Sequence, residues 1–86
     1  MTIYAVYHSD CTEGWYESFH KSKSGAIQGA KTVVAKAQKE IDMMRNELDE
    51  DDAADYDDMK MTEESKWVGG LCSSVHIEIT EIKLKQ

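Results

Sequence analysis

An α+β domain, a small antiparallel or mixed sheet of about three strands with one long helix packed across a face, is the fold class this sequence predicts. Three observations carry it. TIYAVYH and WYESFH are short runs of high strand propensity on either side of a turn-rich break. From Ile27 to Leu48 an apolar stripe recurs at helical spacing, and SVHIEITEIKL then returns to period-two alternation. A chain of 86 residues can enclose only one core, so the expectation is a single domain over residues 1–86.

Thr2–His8 and Trp15–His20 read as a hairpin. Ile3, Ala5 and Tyr7 point one way and Tyr4 and Val6 the other, and the loop SDCTEG spans roughly six residues. Because both faces of the first strand are apolar or aromatic, it belongs in the interior of the sheet. Ser22 or Ser24 is the natural cap of the helix that follows. Ile27, Ala30, Val34, Ala37, Ile41, Met44 and Leu48 form its stripe, widened by Ala26 and Val33, which suits packing on a sheet. The helix is expected over about Lys23 to Leu48. Continuing the stripe would bury Asp51, Asp55 and Asp58, which is costly, so the helix should break at Asp49–Asp52.

Asp52 followed by Asp55 resembles an N-cap with an acid three residues on. This predicts a second, shorter helix from about Ala53 to Ser65 with Tyr56 and Met59 on its inner side. The glycine pair of KWVGGLC should bend or bulge the chain. In the last strand Val75, Ile77 and Ile79 share a face. The apolar phase then switches to Ile82 and Leu84, which predicts a bulge near Thr80–Glu81. The expected order is strand–strand–helix–helix–strand.

The net charge of −7 is unevenly placed. Residues 47–64 hold ten acids and one base, Lys60, for a net −9, while the remainder of the chain is slightly positive. A focused negative field of this kind points to a basic partner rather than to solubility alone. It argues against nucleic acid as a direct ligand, since phosphate binding needs a basic face. No apolar run is long enough to span a membrane, and MTIYAVYHSD lacks the basic start and apolar core of a signal peptide. Two cysteines are too few for a disulfide framework, so a reduced, cytoplasmic protein is expected.

Three chemistries compete for the remaining features. His8, Cys11, Cys72 and His76 have zinc-ligand types, and would converge only if the first and last strands pair antiparallel. The same residues offer a Cys–His nucleophile, but nothing nearby in the sequence reads as an orienting third group or an oxyanion loop. DEDDAADYDDMK offers carboxylates to calcium, yet it has no central glycine and places alanines mid-loop. The reading that uses the whole acidic run is an interaction face. If mostly helical, it would carry one acid per about 2.7 Å of axis, against about 1.7 Å per charge for duplex DNA and about 3.4 Å for a single strand. Asp49, Glu50, Asp51, Asp52, Asp55, Asp57 and Asp58 would engage Arg and Lys, with Tyr56 and Met59 as anchors. No catalytic residue, metal or cofactor is expected.

The IYAVY-type first strand, the aromatic second strand, the Lys/Ser-rich helix start FHKSKSGA, the long helix and a closing strand like HIEITEIKL resemble, in pattern, small acidic phage-encoded host-takeover and anti-defence proteins. That group includes anti-CRISPR inhibitors. The resemblance implies a compact non-enzymatic inhibitor, working in the host cytoplasm, that blocks the nucleic-acid-binding surface of a host or defence complex such as CRISPR–Cas. It carries over no individual residues. Two alternatives stand beside it: a small metal-binding protein, and a dimeric adaptor assembling through Ile27, Val34, Ile41, Met44 and Leu48, a stripe in which Ala30 and Ala37 permit close approach.

Overall fold

The structure, a computed structural model, describes residues 1–85. In chain order the elements are β1 (Thr2–Ser9), β2 (Gly14–His20), α1 (Lys23–Glu47), α2 (Glu50–Ala53), β3 (Tyr56–Glu63), β4 (Lys66–Leu71) and β5 (Val75–Lys83). The five strands make one sheet in the order β2-β1-β5-β4-β3, with every neighbouring pair antiparallel. The helix α1 crosses one face and touches all five strands. It is both the crossover from one sheet edge to the other and the cover of the core.

The fold class, the hairpin and the long helix match the sequence reading. Ser22 caps α1, its Oγ accepting a hydrogen bond from the Gly25 N–H at 3.0 Å. The helix ends at Glu47, with Leu48 in extended backbone at the C-cap. Its apolar stripe faces its own sheet: Ala26, Ala30 and Ala37 meet Val6, Trp67 and Ile77, and Tyr4, Val33, Val34, Met59 and Ile79 pack around them. The small alanines let the helix axis lie close over the sheet, while the bulk comes from the strands. Each large side chain buried here contributes about 1.5–3 kcal/mol.

Strand number and the second half of the chain differ from expectation. There are five strands rather than three, and the acidic run does not form a helix over residues 53–65. Only Glu50–Ala53 is helical, a single turn whose N-cap is Asp49 rather than Asp52. Tyr56 onward is a strand hydrogen-bonded to β4. The glycine pair explains why. At Gly69 an added Cβ would lie 2.8 Å from the Met59 Cα and 2.9 Å from the Asp58 carbonyl oxygen, so the missing side chain lets β3 approach β4 closely. Gly70, at φ +79, then begins the turn into β5 in a left-handed conformation that favours glycine. The glycine pair thus lies in a strand, and the expected irregularity is there as a register shift between Asp57 and Lys60 of β3, which places Asp58 and Met59 opposite Gly69.

No bulge interrupts β5 near Thr80–Glu81. Its register with β1 runs unbroken from Thr2 opposite Lys83 to Ser9 opposite His76. Ile82 simply belongs to the other face of the sheet, opposite Ile3. A bulge does occur in β2, where the register with β1 shifts between Val6 and Tyr7 and leaves Glu17 as the extra residue, and the β3–β4 register also shifts, between Asp57 and Lys60 and between Met61 and Glu63. On the face turned away from α1, the Tyr7, Tyr16 and Phe19 rings stand in a row with centroids 5.2 and 5.3 Å apart, and Tyr16 and Phe19 are exposed. Among the described residues, no helix is long and apolar enough to cross a membrane.

Candidate functional site: an acidic corner beside an apolar groove

The nine residues singled out from the acidic run divide into two groups. Asp49, Glu50, Asp51, Asp52 and Asp55 are exposed within seven consecutive residues of the α1–α2–β3 corner. Among the described residues none of the five forms a salt bridge, and the Asp49 side chain makes no capping hydrogen bond. Glu50, Asp51 and Asp52 occupy the first turn of α2, where the helix dipole favours negative charge.

The other four are tied into the fold. Arg45 donates from Nη1 to Asp58 Oδ1 at 2.6 Å and from Nη2 to the Tyr56 carbonyl. Gln38 donates to the same Asp58 oxygen at 3.0 Å, and its own Oε1 accepts from the Met59 N–H at 2.7 Å. Two polar side chains of α1 thus satisfy the outer edge of β3, which would otherwise present open backbone groups. Asp57 accepts from the Ser73 hydroxyl at 2.7 Å. Met59 packs against the core, and Tyr56 is half-buried. Asp57 and Asp58 therefore fasten β3 to its neighbours while remaining exposed, whereas Met59 is turned into the core. The helical charge spacing likened to nucleic acid does not apply either, because the run is one helical turn followed by a strand rising about 3.3 Å per residue.

Beside the corner lies a half-open groove of about 570 Å³ between the second half of α1 and the sheet end that holds the β1–β2 and β4–β5 turns. Val33, Ala37, Ile41 and Trp15 line its floor, and Met44, Tyr56 and Leu71 line the end nearest the acids. Its polar rim is organised by β2. As the bulge residue, Glu17 turns toward the helix side, where Oε1 accepts from Trp15 Nε1 at 2.7 Å and lies 3.0 Å from His8 Nδ1. The Trp15 ring sits against the His8 imidazole, centroids 4.5 Å apart. At the groove mouth Asp10 closes the hairpin turn, accepting from the Thr12 N–H and hydroxyl, both at 2.8 Å, and from the Glu13 N–H at 3.0 Å.

These contacts lower three carboxyl pKa values. The Thr12 N–H and hydroxyl and the Glu13 N–H hold Asp10 below its ordinary value, and the His8 and Trp15 hydrogen bonds do the same for Glu17. Asp58 is lowered by its hydrogen bonds to Arg45 and Gln38 and by the Arg45 charge. A folded value below the unfolded one means stability that is fully present above the ordinary carboxylate range and lost as pH falls through the depressed value. All three groups are near the surface, so the effect is modest. On acidification below about pH 4, the urea midpoint of Asp58→Asn should fall less than that of the wild type. Parallel falls would show that the Arg45–Asp58 contact adds no stability.

The histidines and cysteines do not converge. β1 and β5 do pair antiparallel, but Ser9 stands opposite His76, so His8 and His76 project from opposite faces of the sheet. Both cysteines are exposed and unbridged. Among the described residues, no three or more His, Cys, Asp and Glu side chains are placed to hold a metal ion. The groove and the His8–Glu17–Trp15 cluster were not anticipated from the sequence. The available signal is Trp15-x-Glu17 on the strand next to His8, with Trp15 directly opposite it, and it becomes readable only once the bulge at Glu17 is known. In comparisons with protein-family models, curated proteins and solved structures, the chain matches none of them.

Proposed function

We propose that this protein acts by binding rather than by catalysis, setting its acidic corner against a basic, nucleic-acid-binding surface of another protein and blocking it. An inhibitor of a host or defence complex of the CRISPR–Cas kind is the form of that activity we favour. One observation carries the reading. The fold neutralises Asp58 with Arg45 but leaves Asp49, Glu50, Asp51, Asp52 and Asp55 exposed without a compensating cation. Like charges this close repel one another, and an external basic surface relieves that repulsion while steering encounter.

Capture of partners by tagged protein at low and at high salt tests the reading. The specific partner should be retained at low salt and released at high salt, and nucleic acid added to the bound complex should displace the chain. A partner held equally at both salts, and indifferent to added nucleic acid, would exclude this mode of action.

A further inference from the structure

The acidic corner and the apolar groove share a wall, because Tyr56 follows Asp55 directly and lines the groove. The groove's apolar lining is only partly shielded: Trp15 is 36% exposed, Met44 41% and Leu71 44%. These three come from β2, α1 and β4, so the fold has brought large apolar side chains from distant segments to one concave site. Its volume lies within the range of about 300–1,000 Å³ usual for ligand sites. Around this floor stand Asp10, Glu17 and Glu40 against a single cation, Lys36. The five unpaired acids of the corner continue the negative rim beyond Tyr56.

An apolar floor inside a negative rim selects one chemistry. We propose that the groove receives the apolar face of a short amphipathic segment of the partner, whose flanking Lys and Arg side chains reach the rim and the acidic corner. Two large apolar side chains one helical turn apart match a half-open groove of this size, the geometry by which helices lie in grooves. Charge alone gives speed of encounter and salt sensitivity, whereas buried apolar anchors give residence. The inference rests on the reading of the acidic corner for the sign of its ligand, and it moves the anchor from Met59, which is packed in the core, to the groove.

The test uses the full chain and three synthetic helical peptides. One has Leu at positions i, i+4 and i+7 with Lys elsewhere, one has those leucines replaced by Ala, and one has the lysines replaced by Glu. Amide and indole resonances of the isotopically labelled protein report where each binds. The Lys/Leu peptide should shift the Trp15 indole N–H and the Met44 and Leu71 amides. The Ala peptide should bind about tenfold more weakly or less, and the Glu peptide not at all. Two variants separate the surfaces: Met44→Lys/Leu71→Lys in the groove, both at exposed positions, and Asp49→Lys/Glu50→Lys/Asp51→Lys/Asp52→Lys at the corner. Loss of the Lys/Leu peptide in both supports both surfaces. Loss in the groove variant alone supports the groove and overturns the corner as the basic ligand's site. Loss in the corner variant alone, shifts confined to the corner, equal affinity for the Leu and Ala peptides, or no binding of any peptide would overturn the groove.

Discussion

Trp67→Ala should bring the protein to the edge of unfolding at room temperature. Trp67 is buried in β4 opposite Ile77, and it contributes much of the bulk beneath α1. The helix side of this core is built from Ala26, Ala30 and Ala37, and among the described residues the largest fully buried side chains are Ile77 and Val6. The backbones of α1 and the sheet hold their spacing, and Met59 beside the cluster can fill only part of an indole-sized space, so a cavity would remain. Such truncations cost about 3–5 kcal/mol. Small domains have stabilities near the lower end of about 5–15 kcal/mol, so most of the margin would go. Urea unfolding followed by circular dichroism should show the midpoint collapse. Phe19→Ala, at an exposed position on the opposite face, should shift it only slightly. Equal shifts in the two variants would mean that the core does not lie under α1.

Replacing Asp49, Glu50, Asp51 and Asp52 together by lysine should abolish partner binding and leave the fold intact. The four side chains are exposed and unpaired, so their removal breaks no internal contact. Losing acids from the first turn of α2 forfeits about 0.3–1 kcal/mol each at most, and relief of their mutual repulsion offsets part of it. The net charge moves from −7 to slightly positive, and under the proposed mode of action a basic surface would then be repelled by the corner. Mispaired charge at an interface costs several kcal/mol, enough to lower affinity by orders of magnitude. The measurement is binding of the captured partner alongside thermal unfolding of the variant. Retained binding with an unchanged melting curve would remove the acidic corner from the mechanism.

The first half of the chain was legible because each element there carries a local signal that its tertiary setting reinforces. The 3–4 spacing of the helix stripe, the Ser22 cap and the strand-forming TIYAVYH all describe the fold as it is. The second half was not, because its decisive interactions are long-range. Acids early in a helix and acids on a strand edge look alike in sequence, and no sustained alternation of apolar and polar residues marks 56–63 as a strand. What settles β3 is Gln38 and Arg45 reaching it from α1 and Gly69 admitting it beside β4. The site divides the same way. The five free acids could be read as a run, but the pairing of Asp57 and Asp58 could not. Nor could the groove, which is assembled from α1, parts of all five strands and the turns between β1 and β2 and between β4 and β5.

The pairing of β1 with β5 governs when this protein can exist at all. The two strands are neighbours inside the sheet, yet nearly the whole chain lies between Thr2 and its partner Lys83. A ribosome that has not yet released β5 presents two separate hairpins and a helix whose apolar stripe has no complete floor. Long-range closure of this kind slows folding and leaves apolar surface open to aggregation meanwhile. The groove, which Val75 helps to line, is therefore assembled only once β5 has entered between β1 and β4, and a chain halted before Val75 would lack it.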